Sequence, residues 1–230
     1  MTIGEFLKLL WDQFFVLLYL ITWIVSVLRY KRFFDTPLKY FPMLIMYTFF
    51  TEVLGYFIKN YEEFQFFSDE RYAIDNLIIY NIYQLIFFLF FFDVYRKIFK
   101  EDKDKKLFSY ASIVCVILYV ANAIYSNPLH SQMTYAHILG SLLMVSILVS
   151  YLIKTCSTAN IYPLRQNLLF WVSIGLLTFY IPFPIILTLY KLKVGIGTLV
   201  YLRPILVSSI ALMYGLIIIG LLIGKRKAFR

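Results

Sequence analysis

The chain has 230 residues, of which 61% are hydrophobic and only 15% are charged, and its mean hydropathy is +0.76. A soluble domain of this size is nearer half apolar and a quarter charged, so the composition excludes an ordinary soluble globular fold. The formal net charge is +9. Its basic residues fall mainly in short segments between apolar runs, which favours lipid head groups over nucleic acid as their partner.

Seven apolar runs follow one another along the chain, each long enough to cross a bilayer. In lipid a run of this kind should be helical, because a helix satisfies its own backbone hydrogen bonds there. The sequence therefore predicts an all-α polytopic membrane bundle of about seven transmembrane helices, forming a single integral membrane domain over residues 1–230. The predicted spans cover residues 6–28, 38–58, 74–99, 107–125, 135–153, 168–190 and 200–223.

Basic residues are divided unevenly between the two sides of this bundle. Sixteen of the 22 Lys and Arg residues fall in the segments 29–39, 96–106, 154–165 and 225–230. Cytoplasmic loops carry the excess of Lys and Arg, so these four segments should face the cytoplasm. We therefore expect a multi-pass protein of the bacterial cytoplasmic (inner) membrane, with its N-terminus outside and its C-terminus in the cytoplasm.

Polar side chains interrupt several predicted spans, mostly in the half of the membrane nearer the outside. A charge at the bilayer centre costs about 2.5–3.5 kcal/mol on insertion scales, so these residues should face the interior of the bundle. We predict an outward-facing polar cavity, closed on the cytoplasmic side by the aromatic run 87–92. The candidate cavity residues are Glu52, Gln84, His137, Asn81, Asn122, Tyr180, Asp12 and Arg203.

The same polar groups have a second interpretation, as hydrogen bonds that hold the helices together at about 0.6–2 kcal/mol each. This interpretation is the simpler one for Asn81, Gln84 and Asn122. For Glu52 the functional interpretation is favoured, because a carboxylate within a span is by default a functional-site hypothesis. Both interpretations stay open for His137, which falls near the outer interface.

Two prolines, Pro182 and Pro184, fall late in the sixth predicted span. Proline removes a backbone donor and bends or ends a helix, so this position is predicted to be a hinge or a tolerated bend. Gly220 and Gly224 form a GxxxG pattern in the seventh span. That pattern allows close helix packing, either within the chain or in a homo-oligomer.

The most charged stretch of the chain follows the third span. Its basic residues are either an orientation signal and collar for anionic lipids, or a docking site for a cytoplasmic protein partner. The residues concerned are Arg96, Lys97, Lys100, Lys103, Lys105 and Lys106.

Sequence motifs for catalysis and metal binding are lacking. With two His and two Cys residues, the chain contains no HExxH or CxxC pattern, and no GxSxG occurs either. We therefore expect no catalytic residues, no bound metal and no cofactor, and the chain is more consistent with a non-enzymatic protein than with an enzyme.

The run 169–180 (LFWVSIGLLTFY) and the run 51–56 (TEVLGY), together with the abundance of Phe, Tyr, Ile and Lys, resemble small uncharacterised bacterial seven-span membrane proteins. Proteins of this plan are similar to the membrane sensor portions of bacterial signalling proteins. Others of this kind are accessories to RNA-targeting CRISPR effectors. The resemblance therefore implies a signalling or accessory role exercised through a partner.

Three hypotheses for the function follow. The first is a non-enzymatic membrane sensor or transducer, or an accessory modulator such as that of an antiviral CRISPR-type system, which acts through a partner. The second is a small-solute permease or an oligomeric pore. The third is a membrane-embedded enzyme acting on lipid, with Glu52 and His137 as acid and base.

Overall fold

The computed structural model of the chain describes residues 14–69, 71–73, 76–157, 163–192 and 196–226. These residues form helices and contain no strand, which confirms the all-α prediction. In chain order the helices are α1 (Phe14–Leu28), α2 (Phe41–Asn60), α3 (Leu77–Ile98), α4 (Asp102–Tyr125), α5 (Thr134–Ser157), α6 (Leu168–Tyr180), α7 (Pro182–Lys191) and α8 (Ile196–Ile223).

Six helical segments are long and apolar enough to cross a membrane, and α1 is a shorter apolar helix over its described residues. This confirms the prediction of a helical membrane bundle. The six segments are Pro37–Asn60, Leu77–Ile98, Asp102–Tyr125, Thr134–Ser157, Leu168–Lys191 and Leu202–Ile223. Many of their outward side chains are large and apolar, such as Ile124 and Tyr125, which is the surface that a bilayer covers.

The described parts of the four basic segments meet at one end of the bundle, which we call the basic end. Arg32 Nη1 donates to the backbone oxygen of Gly224 at 2.9 Å, and Arg226 pairs with Asp35 at 2.6 Å. Lys154 joins the other two segments there, 2.6 Å from Glu101. Along the chain these basic segments alternate with loops that lie away from this end. Successive spans therefore run in opposite directions.

Those intervening loops, residues 61–69, 71–73 and 126–133, form the other end of the bundle. Tyr72 stacks on His130 there with 3.9 Å between ring centroids, and Phe67 lies 4.5 Å from the same ring. We call it the acidic end, because its exposed residues include Glu62 and Glu63.

Helix α3 contacts α2, α4 and α5, and α8 packs most closely on α6. Glycine makes the α6–α8 contact possible: a Cβ atom on Gly175 would lie 2.8 Å from the backbone oxygen of Met213. A Cβ on Gly220 would similarly lie 2.5 Å from Cβ of Trp171. Gly220 and Gly224 of the GxxxG pattern both lie against α6 through Trp171 and Leu168, so the pattern serves packing within the chain.

The sixth predicted span is interrupted between α6 and α7, at Ile181. Pro182 and Pro184 have no N–H to donate to the carbonyl groups one turn earlier, which explains the interruption. Helix α6 packs on α8 and α5, and α7 packs mainly on α5. The two halves of this span therefore have different main neighbours, although movement about the break remains a prediction.

Candidate functional site

A cavity of about 280 Å³ lies within the bundle, in the part nearer the acidic end. Every helix except α4 contributes to its wall. The lining side chains are Tyr19, Glu52, Leu77, Tyr80, Tyr83, Gln84, Phe87, Gln132, His137, Phe179, Tyr180, Phe183, Leu206, Ile210, Met213 and Tyr214.

Glu52 on α2 is held in this wall by α3. The hydroxyl of Tyr80 donates to Glu52 Oε2 at 3.1 Å. One turn before Glu52, the Thr48 hydroxyl lies 3.1 Å from the hydroxyl of Tyr83, again on α3. The i, i+4 spacing along α2 and the i, i+3 spacing along α3 place both pairs on facing sides of the two helices. The carboxylate is therefore positioned by two neighbouring hydrogen bonds between α2 and α3.

Gln84 on α3 and Tyr180 on α6 meet at a second point of the wall. Gln84 Nε2 donates to the Tyr180 hydroxyl at 2.8 Å, and the Tyr180 ring lies 6.0 Å from that of Phe87 between centroids. Tyr180 is the last residue of α6, next to the break at Ile181, and Phe183 follows on α7. The wall therefore includes side chains from both sides of the interrupted helix.

His137 on α5 differs from the other polar groups of the cavity. Its side chain is only 2% exposed. Neither Nδ1 nor Nε2 has a hydrogen-bond partner among the residues that the structure describes. A buried polar group without a partner costs about 1–3 kcal/mol, and such a group in a native fold calls for an explanation. The ring of Tyr119, whose hydroxyl is also buried without a partner among the described residues, lies 5.6 Å from the imidazole.

A groove of about 530 Å³ leads from the cavity region towards the acidic end. Its walls include Tyr56, Lys59 and Asn76, and it shares Glu52 and Tyr80 with the cavity. We call it the end groove. The Glu52–Tyr80 hydrogen bond therefore lies at the junction between the groove and the cavity, where a solute entering from the acidic end would meet it.

On the side of the basic end the cavity is closed by a layer of aromatic rings, which we call the aromatic layer. It consists of Phe41, Phe88, Phe91, Phe92, Tyr95 and Tyr151, each 4% exposed or less. Phe88 and Phe92 stack at 6.0 Å, and the rings of Tyr95 and Tyr151 are 5.3 Å apart. The Tyr95 hydroxyl lies 2.7 Å from Ser173 Oγ, so this buried group has a partner.

Of the residues predicted to line a cavity, the structure brings Glu52, Gln84, His137 and Tyr180 together around this one. Arg203 does not line it and has an exposed side chain. Asp12 lies outside the described residues.

Asn81 and Asn122, also predicted for the cavity, do not line this one. Asn81 Nδ2 donates to the backbone oxygens of Pro128 and Ser131 at 2.9 and 3.0 Å, and its Oδ1 accepts from the Met133 amide at 3.1 Å. Asn122 Oδ1 accepts from the amide of Ala136 at 3.1 Å. The side-chain amides of both residues hold the loop 126–133 and the start of α5 in place, because they form hydrogen bonds with backbone groups that have no helical partner there.

Four tyrosines of the cavity wall were not among the predicted site residues: Tyr19, Tyr80, Tyr83 and Tyr214. The sequence has 20 Tyr residues, and Tyr is equally at home at membrane interfaces. Residue type alone therefore gives no reason to select these four. The spacing of Tyr80 and Gln84, one turn apart on α3, was the available signal for one of them.

The predicted docking residues form part of a shallow surface pocket of about 480 Å³ at the basic end, lined by Arg96, Lys97, Lys105, Lys106, Ser109 and Tyr110. Lys100 and Lys103 are exposed and lie outside it. Asp93 pairs with Arg96 at 2.5 Å and also with Lys97, so part of the positive charge is compensated. Docking of lipid or protein on this pocket remains a prediction.

Within the described ranges, no three His, Cys, Asp or Glu side chains are grouped closely enough to hold a metal ion. No protein family, curated protein or solved structure matches this chain.

Proposed function

We propose that the protein is a non-enzymatic membrane receptor. It takes up a small solute from the side of the acidic end and transmits occupancy of the cavity to a partner at the basic end. The observation that carries the proposal is the contrast between a cavity with a few polar side chains near one end and the closed aromatic layer towards the other end. Concave sites with a few convergent polar groups are the usual form of small-molecule sites.

The positions of the cavity side chains support transmission. Glu52, Gln84, His137 and Tyr180 stand on four different helices, so a ligand that contacts them bonds the helices to one another. Tyr180 and Phe183 flank the break between α6 and α7. A ligand that favours one arrangement of this break shifts the population of the bundle towards that arrangement.

The aromatic layer favours a receptor over an open pore. An open pore needs a continuous polar path to both sides, whereas the side chains of Phe88, Phe91 and Phe92 on α3 are 0% exposed. The basic end supplies a surface for a cytoplasmic partner if, as the positive-inside rule predicts, it faces the cytoplasm. We therefore expect no flux of small solutes in proteoliposomes.

Maleimide labelling of cysteines can measure both the orientation of the protein in the membrane and the access of solvent to the cavity. Cys156 is exposed near the basic end, and Cys115 is buried in α4. In right-side-out vesicles, a membrane-impermeant maleimide should label a Leu77→Cys variant at the start of α3 without permeabilisation. It should label Cys156 only after permeabilisation, and Cys115 in neither condition. Labelling of Leu77→Cys from the cytoplasmic side alone would contradict the proposal.

Transmission can be tested without knowledge of the ligand. An environment-sensitive fluorophore on Cys156 reports on the basic end while Leu206→Trp fills part of the cavity. We expect a shift of the emission with Leu206→Trp and none with the control Leu212→Trp, whose side chain is 59% exposed on the same helix. Equal emission in both variants would show that the basic end does not respond to the cavity.

A further inference from the structure

The wall of the cavity has a specific chemical character. Among its lining side chains are five Tyr and three Phe residues, and Glu52 is the only charged one. No Lys or Arg takes part in the wall that the structure describes. Aromatic faces attract cations through their quadrupole, and an aromatic cage is the common means of recognising ammonium groups. An anionic ligand would find no opposite charge in this wall.

Glu52 has a free acceptor for such a ligand. Tyr80 binds Oε2, and Oε1 has no hydrogen-bond donor among the residues described. Glu52 is half-buried and also lines the end groove, and a carboxylate within a membrane span is stabilised by an opposite charge close to it. A cation in the cavity would supply this charge.

His137 lines the same cavity, and its ring lies 5.6 Å from that of Tyr119 on α4. Its two ring nitrogens and the Tyr119 hydroxyl are buried without a hydrogen-bond partner among the described residues. The nitrogens have almost no accessible surface, so a ligand in the cavity as it stands does not reach them.

The approach to the cavity carries charges of both signs. Glu62 and Glu63 are exposed at the acidic end, and Lys59, Arg71 and Lys191 lie at the same end, so the preference for a cation rests on the cavity wall. Asp69 contributes less, because Arg71 donates to both of its oxygens and holds the pKa of Asp69 below its usual range. Lys59 lines the end groove, but it stands two turns from Glu52, about 10 Å along α2.

We propose that the cavity binds a small organic cation, an ammonium compound with few heavy atoms. Glu52 is its counter-ion, and the tyrosine rings enclose it. The cavity volume of about 280 Å³ lies at the low end for small-molecule sites, which limits the ligand to a small one. This inference rests on the proposed receptor function and names its ligand class.

The test uses the full chain in detergent micelles and a matched set of probes. Choline, tetramethylammonium and 2-phenylethylammonium are the cations, and 3,3-dimethylbutan-1-ol is the uncharged counterpart of choline with the same shape. A ligand that binds only the folded state raises its melting temperature. We expect at least one cation to raise the melting temperature, with saturation, and the uncharged alcohol to have no effect at equal concentration.

Variants then locate the site. Glu52→Gln keeps the shape of the side chain, and we expect it to weaken cation binding at least about tenfold, because the cation loses its counter-charge in the cavity. Glu62→Gln removes an exposed carboxylate outside the cavity and should leave the affinity within about twofold. Tyr80→Phe keeps the ring and releases Oε2, so it should weaken binding less than Glu52→Gln. The melting temperature of each variant without ligand shows that it is folded.

The outcomes separate this inference from the receptor proposal. Binding of the alcohol as tight as that of choline, unchanged affinity in folded Glu52→Gln, or no stabilisation by any of the three cations overturns the cation inference. The receptor proposal survives these outcomes provided that Leu77→Cys is labelled from outside and Leu206→Trp shifts the Cys156 probe. Failure of those two measurements overturns the receptor proposal, even if a cation binds.

Discussion

One continuous face of α3 lines two regions that differ in kind. Near the acidic end it carries Tyr80 and Gln84 into the cavity, and two turns further on it carries Phe91 and Tyr95 into the aromatic layer. Both regions are rich in aromatic rings, so aromatic content does not distinguish them. The difference lies in how completely the polar groups are paired and the space is filled.

In the aromatic layer, rings pack on rings, and the Tyr95 hydroxyl has Ser173 as its partner. In the cavity, His137 has no partner among the described residues, and a volume of about 280 Å³ remains. A fully paired and filled region contributes stability, whereas an open and partly unpaired one costs stability and is kept for binding. Substitutions in the two regions should therefore differ in the sign of their effect on stability.

The largest effect should come from Asn81, a fully paired amide beside the cavity. Asn81→Leu would leave the backbone groups of Pro128, Ser131 and Met133 without their partner. Each unpaired buried group costs about 1–3 kcal/mol, so we expect the free energy of unfolding to fall by several kcal/mol in total. Reversible unfolding in mixed micelles measures this free energy. A neutral effect would mean that this amide does not fasten the loop 126–133.

The next largest effect should come from a substitution that tests how tightly the aromatic layer is packed. A Cβ on Gly140 would lie 2.5 Å from Cε2 of the buried Phe88 ring, so Gly140→Ala should destabilise the protein by about 1–3 kcal/mol through overpacking. Gly215 is the control, since a Cβ there would meet no atom within 4 Å. Gly215→Ala should instead stabilise α8 by up to about 1 kcal/mol. Equal changes in the two melting temperatures would show that the layer is not tightly packed.

A substitution in the cavity should have the opposite sign. His137→Leu removes two unpaired nitrogens, so we expect the ligand-free protein to gain about 1 kcal/mol of unfolding free energy. A loss of stability comparable to that of Asn81→Leu would indicate that His137 is a structural residue with a bound water.

The smallest effect concerns the hydrogen bond between the hydroxyls of Tyr95 and Ser173 in the aromatic layer. Tyr95→Phe and Ser173→Ala should each cost about 0.5–1.5 kcal/mol, and the double variant should cost less than their sum because the two hydroxyls share one bond. A double-mutant cycle of thermal unfolding measures the coupling. Strict additivity would show that the two hydroxyls do not stabilise each other.

The spans were predictable because hydrophobicity is a local property. The second predicted span, 38–58, is α2 (Phe41–Asn60), and the third, 74–99, is α3 (Leu77–Ile98). The fourth helix starts earlier than its predicted span at 107, because Asp102 and Asp104 favour a helix N-terminus although they are not apolar. Hydropathy marks the membrane span, whereas the charges of the first turn decide where the helix begins.

By itself, the sequence determined the helical membrane bundle, the break at Pro182 and the grouping of basic residues, since run length, proline and charge act locally. Only the tertiary structure decided which polar residues meet. Asn81 and Gln84 lie three residues apart on α3, yet Asn81 fastens a loop and Gln84 lines the cavity. Their roles depend on which loop or helix stands opposite, and that is fixed by long-range packing, which no residue spacing within one helix specifies.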